Sequence, residues 1–234
     1  MRIDDELCTA CGECVPYCTV GAIVVTPNGR VGVVQDECVE CGSCIRSGIC
    51  REGALVEEEL QWPRSLRASF SNPQRRVRER GIAGRGTPGL KTDDVTGLLQ
   101  PGLVGVSIEM GRPNMGVRLR EVERITRAVA PLRPAFRVGN PVTALMTDPK
   151  AGKMREDVLG EKVLSAHVEF TLEAESLGDL VDLLRPLSQE IDAVFSLSLS
   201  CAAEDGAAPL PAWAARAGLG LNPNGKLNVG LGRA

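Results

Sequence analysis

Aromatic residues make up only 3% of this 234-residue chain, and histidine occurs once, at His167. So few aromatics leave little to stack bases on, and the basic runs are short, so no nucleic-acid partner is expected. A lone histidine with no second histidine or cysteine pair beside it suggests no metal site of its own. No apolar stretch is long enough to cross a bilayer, so no membrane partner is expected either. No basic-then-apolar leader precedes the first cysteine, and the expected location is cytoplasmic. The chain also lacks a nucleophile–base pairing and a dinucleotide fingerprint, so no catalytic residue is assigned.

What the chain does have is cysteine, nine in all. Eight fall in two matching runs. The first is Cys8-x2-Cys11-x2-Cys14-x3-Cys18, and the second is Cys38-x2-Cys41-x2-Cys44-x5-Cys50. A cubane iron–sulfur cluster needs four thiolates around a compact body. Three close cysteines on one loop and a remote fourth supply them. Eight ligands match two [4Fe–4S] clusters. An even set of eight also fits a disulfide framework, but the tight spacing and the missing leader argue against it. Zinc sites usually pair two ligands with two more rather than setting three in a row.

The two runs expose an internal repeat. Cys18-Thr-Val-Gly21-Ala22-Ile23-Val24 aligns with Cys50-Arg-Glu-Gly53-Ala54-Leu55-Val56. On these residues, the stretch 1–58 resembles the bacterial two-cluster ferredoxins. The resemblance implies a pseudo-twofold fold in which the fourth cysteine of each run crosses to the other cluster. Cys8, Cys11, Cys14 and Cys50 would hold one cluster, and Cys38, Cys41, Cys44 and Cys18 the other. It also implies electron transfer to a redox partner or a larger reductase subunit. Two departures stand out. Thr19 and Arg51 replace the proline that usually follows the fourth cysteine, and the second run has x5 where x3 is usual.

Charge divides the chain. Residues 1–60 carry 4 basic against 11 acidic side chains, a net of −7, while 61–101 carry 8 against 3, a net of +5. The expected organisation is α+β. It comprises a ferredoxin-like domain at 1–60, an extended basic linker at 61–101, a second domain at 102–205 and a C-terminal extension at 206–234. The linker is rich in Gly and Pro and has little periodicity. It contains the basic run 75–80 and a glycine segment at 84–89 that lacks the Lys-Ser/Thr ending of a P-loop. Its arginines suit carboxylates or phosphates, and its amides suit an anion.

The second domain reads as β-α-β-β-α-β. Val104, Val106, Ile108 and Met110 alternate as a strand, and Leu119, Val122, Ile125, Val129 and Leu132 recur at helical spacing. Leu164 to Leu172 and Phe195 to Cys201 alternate again. Ser176 reads as the N-cap of the second helix. Such an order suggests an antiparallel sheet with two helices on one face. The topology resembles the ACT-like, ferredoxin-like sandwiches, in which the turn 111–116 would be a ligand loop and two copies often pair as a homodimer. Cys201 is expected to pack in the core and His167 to be solvated.

The strings from Gly84 to Gly97, Val104 to Arg112 and Asn140-Pro-Val-Thr143 are similar to ferredoxin-bearing 6-hydroxynicotinate reductases. That resemblance covers roughly 84–230. It implies a system reducing an aromatic or N-heteroaromatic ring with low-potential electrons. Two other roles fit the sequence: a redox-linked small-molecule-binding module and a complete flavin-dependent reductase.

Overall fold

The computed structural model describes residues 1–75, 82, 89–90, 97–113, 115–202 and 209–220. The basic run beyond Arg75, the glycine segment up to residue 88 and the tail 221–234 lie outside them.

The head is built from short pieces. Strands β1 (Arg2–Ile3) and β4 (Leu55–Val56) pair antiparallel, as do β2 (Ile23–Val25) and β3 (Val31–Val33). A single turn of helix, α1 (Ser43–Arg46), lies inside the second cysteine run. The small core joins Met1, Ala22, Ile23 and Val31 to Cys38 and Cys44. So few apolar side chains make a marginal core for a unit this small.

The expected linker is not extended at its start. Residues Ser65–Ser71 form helix α2, and all seven are buried. Leu66 and Phe70, one helical turn apart, enter the main core with Trp62 packed beside them. The other face of α2 carries Arg67, which turns toward the head. Small serines at 65, 69 and 71 let the helix lie close between the two.

The main core lies in the C-terminal half. Strands β5 (Leu103–Met110), β7 (Ala135–Phe136), β11 (Ala166–Glu173) and β12 (Phe195–Ser200) form a sheet in the order β12-β5-β11-β7, with every neighbour antiparallel. Between them come β6 (Val117–Arg118), the hairpin of β8 (Met146–Asp148) and β9 (Lys153–Met154), and β10 (Lys162–Val163), which pairs with β6. Helices α3 (Leu119–Val129) and α4 (Leu177–Glu190) present Val122, Ile125, Val129, Leu177, Leu180 and Leu184 to the apolar side of the sheet. A short helix, α5 (Leu210–Arg216), follows.

Three local expectations change. Ser176 makes no side-chain cap; a 3-10 turn, Ala174–Ser176, leads into α4 instead. The stretch 139–161, which looks irregular in sequence, contributes Val142, Leu145, Met154 and Val158 to the core. The polar side of the sheet is buried as well. Ser107, Glu109, Glu169 and Thr171 are all at most 9% exposed. Glu169 is satisfied there by Arg137 Nη1 and Asn140 Nδ2, each at 3.1 Å, and by the Leu90 amide. A buried carboxylate needs such partners.

Candidate metal centre

The two cysteine loops repeat the same backbone. Ala10 (φ 58°) and Gly12 (φ 75°) shape the first, and Glu40 (φ 55°) and Gly42 (φ 68°) occupy the matching places in the second. These left-handed residues curl each loop so that its three thiols face inward. The Gly-Ala pair that follows each fourth cysteine acts alike in both halves. Gly21 (φ 68°) and Gly53 (φ 69°) turn the chain back on the preceding thiol. The Ala22 amide then donates to Cys18 Sγ at 3.0 Å, and the Ala54 amide to Cys50 Sγ at 3.3 Å. Hydrogen bonds to sulfur orient a thiolate ligand and tune a cluster's potential.

The thiols gather in crossed sets. Cys8, Cys11, Cys14 and Cys50 line one cavity of about 130 Å³, with Ile3, Val31, Ala54 and Leu55 as apolar wall. Burial raises the Cys14 thiol; its backbone hydrogen bond pulls the other way, and Cys11, Cys50 and Cys8 facing it add to the rise. Around the second set, Cys44 is pushed up to about 11 by burial and then by Cys41, Cys18 and Cys38. In both sets the fourth thiol comes from the other run.

Such thiols stay protonated until a metal displaces the protons. Among the described residues, no group of three or more His, Cys, Asp or Glu is arranged to hold a single metal ion. A lone zinc needs thiolates converging to about 2.3 Å from one point. Four thiols around a cavity, free of histidine, instead fit a polynuclear iron–sulfur body, and the donor softness agrees.

The surroundings of the two sets differ. Cys11 is exposed, and Cys8, Cys14 and Cys50 are half-buried; Cys38, Cys41 and Cys44 are only 7%, 9% and 7% exposed. The second loop is gripped by arginines. Buried Arg67 on α2 donates to the carbonyl oxygens of Gln35, Asp36 and Cys38, the last at 2.8 Å, while its Nε pairs with Glu161. Arg46 donates to Cys41 O at 2.7 Å and to Asn72 Oδ1 at 3.1 Å. Arg64 and the chain's amino terminus both pair with buried Glu40. Arg118 pairs with Asp36 and Glu37, and Lys162 with Glu37. Hydrogen bonds from Arg118 and Lys162 hold the Asp36 and Glu37 carboxyls below their ordinary values. Burial, then the Glu40 carboxylate, pushes Cys38 up to about 11.

None of Arg46, Arg64, Arg67 and Glu40 stands out in the sequence as part of a site. Only Arg46 lies inside the second cysteine run itself, two residues past Cys44.

The C-terminal candidates fare differently. In the turn 111–116 the amides of Met115 and Gly116 both donate to Gly111 O, and those of Leu119 and Arg120 are taken by Glu161 O and Leu159 O. These amides are therefore taken within the chain. His167 is half-buried beside Glu109, with Nδ1 3.8 Å from Oε1, rather than solvated. Cys201 is half-buried beyond β12, not fully packed.

Comparison with known proteins agrees with the head. Residues 1–24 match the 4Fe-4S binding domain family. Ferredoxin-1 of Rhodobacter capsulatus is 50% identical over 42 residues, 18% of this chain and 62% of its own length. A ferredoxin-like protein of Azotobacter vinelandii is 38% identical over 63 residues, 26% of this chain and 63% of its own length. The chain thus spans somewhat under two thirds of these curated relatives. No solved structure matches.

Proposed function

Given that its head is a bacterial ferredoxin-type 4Fe–4S domain, we propose that this protein is an electron-transfer protein or subunit with two [4Fe–4S] clusters. Cys8, Cys11, Cys14 and Cys50 hold the first, and Cys38, Cys41, Cys44 and Cys18 the second. Each cluster supplies one-electron chemistry when bound. The chain's residues supply the rest: eight thiols as ligands, the Ala22 and Ala54 amides as sulfur-directed donors, and apolar walls that limit water. The observation that carries this reading is the crossed meeting of thiols, Cys50 with the first run and Cys18 with the second. Interleaved sets hold the two clusters close together, as a relay requires.

The recipient is a partner reductase, since a cluster relay passes single electrons on to another protein. A reductase acting on an aromatic or N-heteroaromatic ring is the narrower reading. It rests on the likeness of 84–230 alone. Within that stretch Asn140 serves the fold, because its side chain accepts from the Val142 amide at 2.8 Å and donates to Glu169. A second reading makes the C-terminal domain an ACT-like ligand-binding module. The antiparallel order β12-β5-β11-β7, with α3 and α4 packed on its apolar side, is the observation behind it.

The test is anaerobic purification with iron, sulfide, flavin and copurifying chains measured together. About eight irons without flavin, with a stoichiometric larger chain, is the expected result. Fewer than about four irons overturns the two-cluster assignment. Eight irons with flavin and no partner makes the chain a complete reductase.

A further inference from the structure

The two thiol sets do not face the same surroundings. The second is closed in by this chain itself. Helix α2 lies between the head and the main core: Leu66 and Phe70 point into that core, while Arg67 reaches back to Cys38 O. Asn72, just past α2, receives Arg46 from the second loop, and a Cβ built on Gly42 would lie 3.2 Å from Asn72 Nδ2. The Arg118 and Lys162 pairs with Asp36 and Glu37 fasten the same side to the C-terminal half.

The first set is open. Cys11 is exposed, and the cavity that holds it is rimmed by exposed Glu13, Arg51 and Glu52. Leu7, beside Cys8, is 48% exposed. Glu6 adds a further exposed carboxylate. The rim is therefore acidic with an apolar element, the complement of a basic surface that carries its own apolar contact.

We propose that the relay is one-ended. A basic redox protein docks at the rim of Cys8, Cys11, Cys14 and Cys50, and the set of Cys38, Cys41, Cys44 and Cys18 is the inner station, turned toward the chain's own C-terminal half through α2. This inference rests on the two-cluster reading above. Electrons reach the second station by way of the first and leave by the same way to the docked protein. Arg46, two residues past Cys44, closes the inner side through Cys41 O and Asn72.

The test uses the full chain, purified anaerobically, with its iron and sulfide counted first. A single-cluster protein overturns the relay and this inference together. With two clusters counted, the relay reading stands and only the orientation is at stake. Each cluster's EPR power saturation is then measured with and without an aqueous dysprosium chelate. Glu13→Lys marks the first cluster by moving its potential, and Arg46→Gln marks the second. The chelate is expected to relax the signal that Glu13→Lys moves far more than the other. Equal relaxation of both, or stronger relaxation of the signal that Arg46→Gln moves, overturns the proposal.

A second measurement needs no assignment of signals. Reduction of the chain by methyl viologen radical cation is followed by stopped flow. The Glu13→Lys/Glu52→Lys pair is expected to slow it about tenfold and abolish its salt dependence, because the rim no longer attracts a cation. Exposed Glu175→Lys, on the C-terminal half, is the control and leaves the rate unchanged. An unchanged rate in the rim variant means that electrons enter elsewhere.

Discussion

The two cysteine loops are near copies in backbone and opposites in setting. Both curl through two left-handed residues at the same places, and both close with a glycine that aims an alanine amide at the crossing thiol. Yet Cys11 lies at the surface, while its counterpart Cys41 lies under Arg46 and next to α2. Local sequence thus builds the same ligand cradle twice, and residues distant in the chain make the cradles different. Reduction potential depends on hydrogen bonds, nearby charge and solvent exposure as well as on ligands. Two loops with one ligand code are therefore expected to hold clusters of unequal potential.

The largest expected effect comes from Arg67. Its guanidinium serves three head carbonyls and Glu161 while only 4% exposed. Arg67→Met takes the partner from the largely buried Glu161 carboxylate and from the buried Cys38 carbonyl, while Gln35 O keeps Arg64, at a cost of about 3–5 kcal/mol. A denaturant titration of the anaerobic protein reads the loss, and the second cluster should bleach in chelator sooner than the first. Arg67→Lys does not rescue it, since one ammonium lacks the planar fork that reaches several acceptors. If Arg67→Met bleaches both clusters equally, α2 does not set the difference between the loops.

The glycines sharpen the contrast at a smaller scale. Gly12 and Gly42 share the left-handed region, but a Cβ on Gly12 meets nothing within 4 Å, whereas one on Gly42 lies 2.7 Å from Arg46 Nη1. Gly12→Ala should cost about 1 kcal/mol, as reduced freedom of the unfolded chain offsets part of the strain. Gly42→Ala carries the same strain and also displaces Arg46 from Cys41 O, so its cost is larger. Equal denaturation midpoints for the two variants would show that Arg46 yields without penalty.

Arg46→Gln comes next and touches potential more than stability. It removes a positive charge hydrogen-bonded to Cys41 O. The second cluster should become harder to reduce, and the first should hardly move. A spectroelectrochemical titration checks this, and equal shifts in both clusters would dissolve the asymmetry.

The matching backbone of the two cysteine loops was legible because its code is local. Cysteine spacing, the Gly12/Gly42 match and the two Gly-Ala pairs all lie within a few residues of the thiols they serve. Strands β5, β11 and β12 were legible from period-two alternation, and the stripes of α3 and α4 from helical spacing. Helix α2 was not. Its seven residues hold only Leu66 and Phe70 as large apolar side chains, among three serines and an arginine. Arg67 reads as a surface residue because its partners lie 29 to 94 positions away. Glu169 misleads for the same reason: the Arg137 and Asn140 that make its burial tolerable come from 32 and 29 positions earlier. Hydropathy patterns register apolar faces, and they do not register a buried charge satisfied across the fold.

The smallest expected effect concerns acid. Asp36 is held below its ordinary value first by the Arg118 hydrogen bond and then by that charge. Glu37 is held down first by the Lys162 hydrogen bond, against the opposing pull of burial. In the unfolded chain both carboxyls bind protons at a higher pH than they do in the folded one. Their contribution to stability is therefore complete above the unfolded values near about 4 and is lost as the pH falls through the lowered folded values. Because the Asp36 side chain is 70% exposed, solvent screens its pair and the contribution is modest. The measurement is the slope of stability against pH below about 4.5, at low and at high salt. Asp36→Asn/Glu37→Gln should flatten that slope, and high salt should flatten it in the native chain. A slope that survives the double substitution would mean that the Asp36 and Glu37 pairs do not carry the acid sensitivity of the inner side.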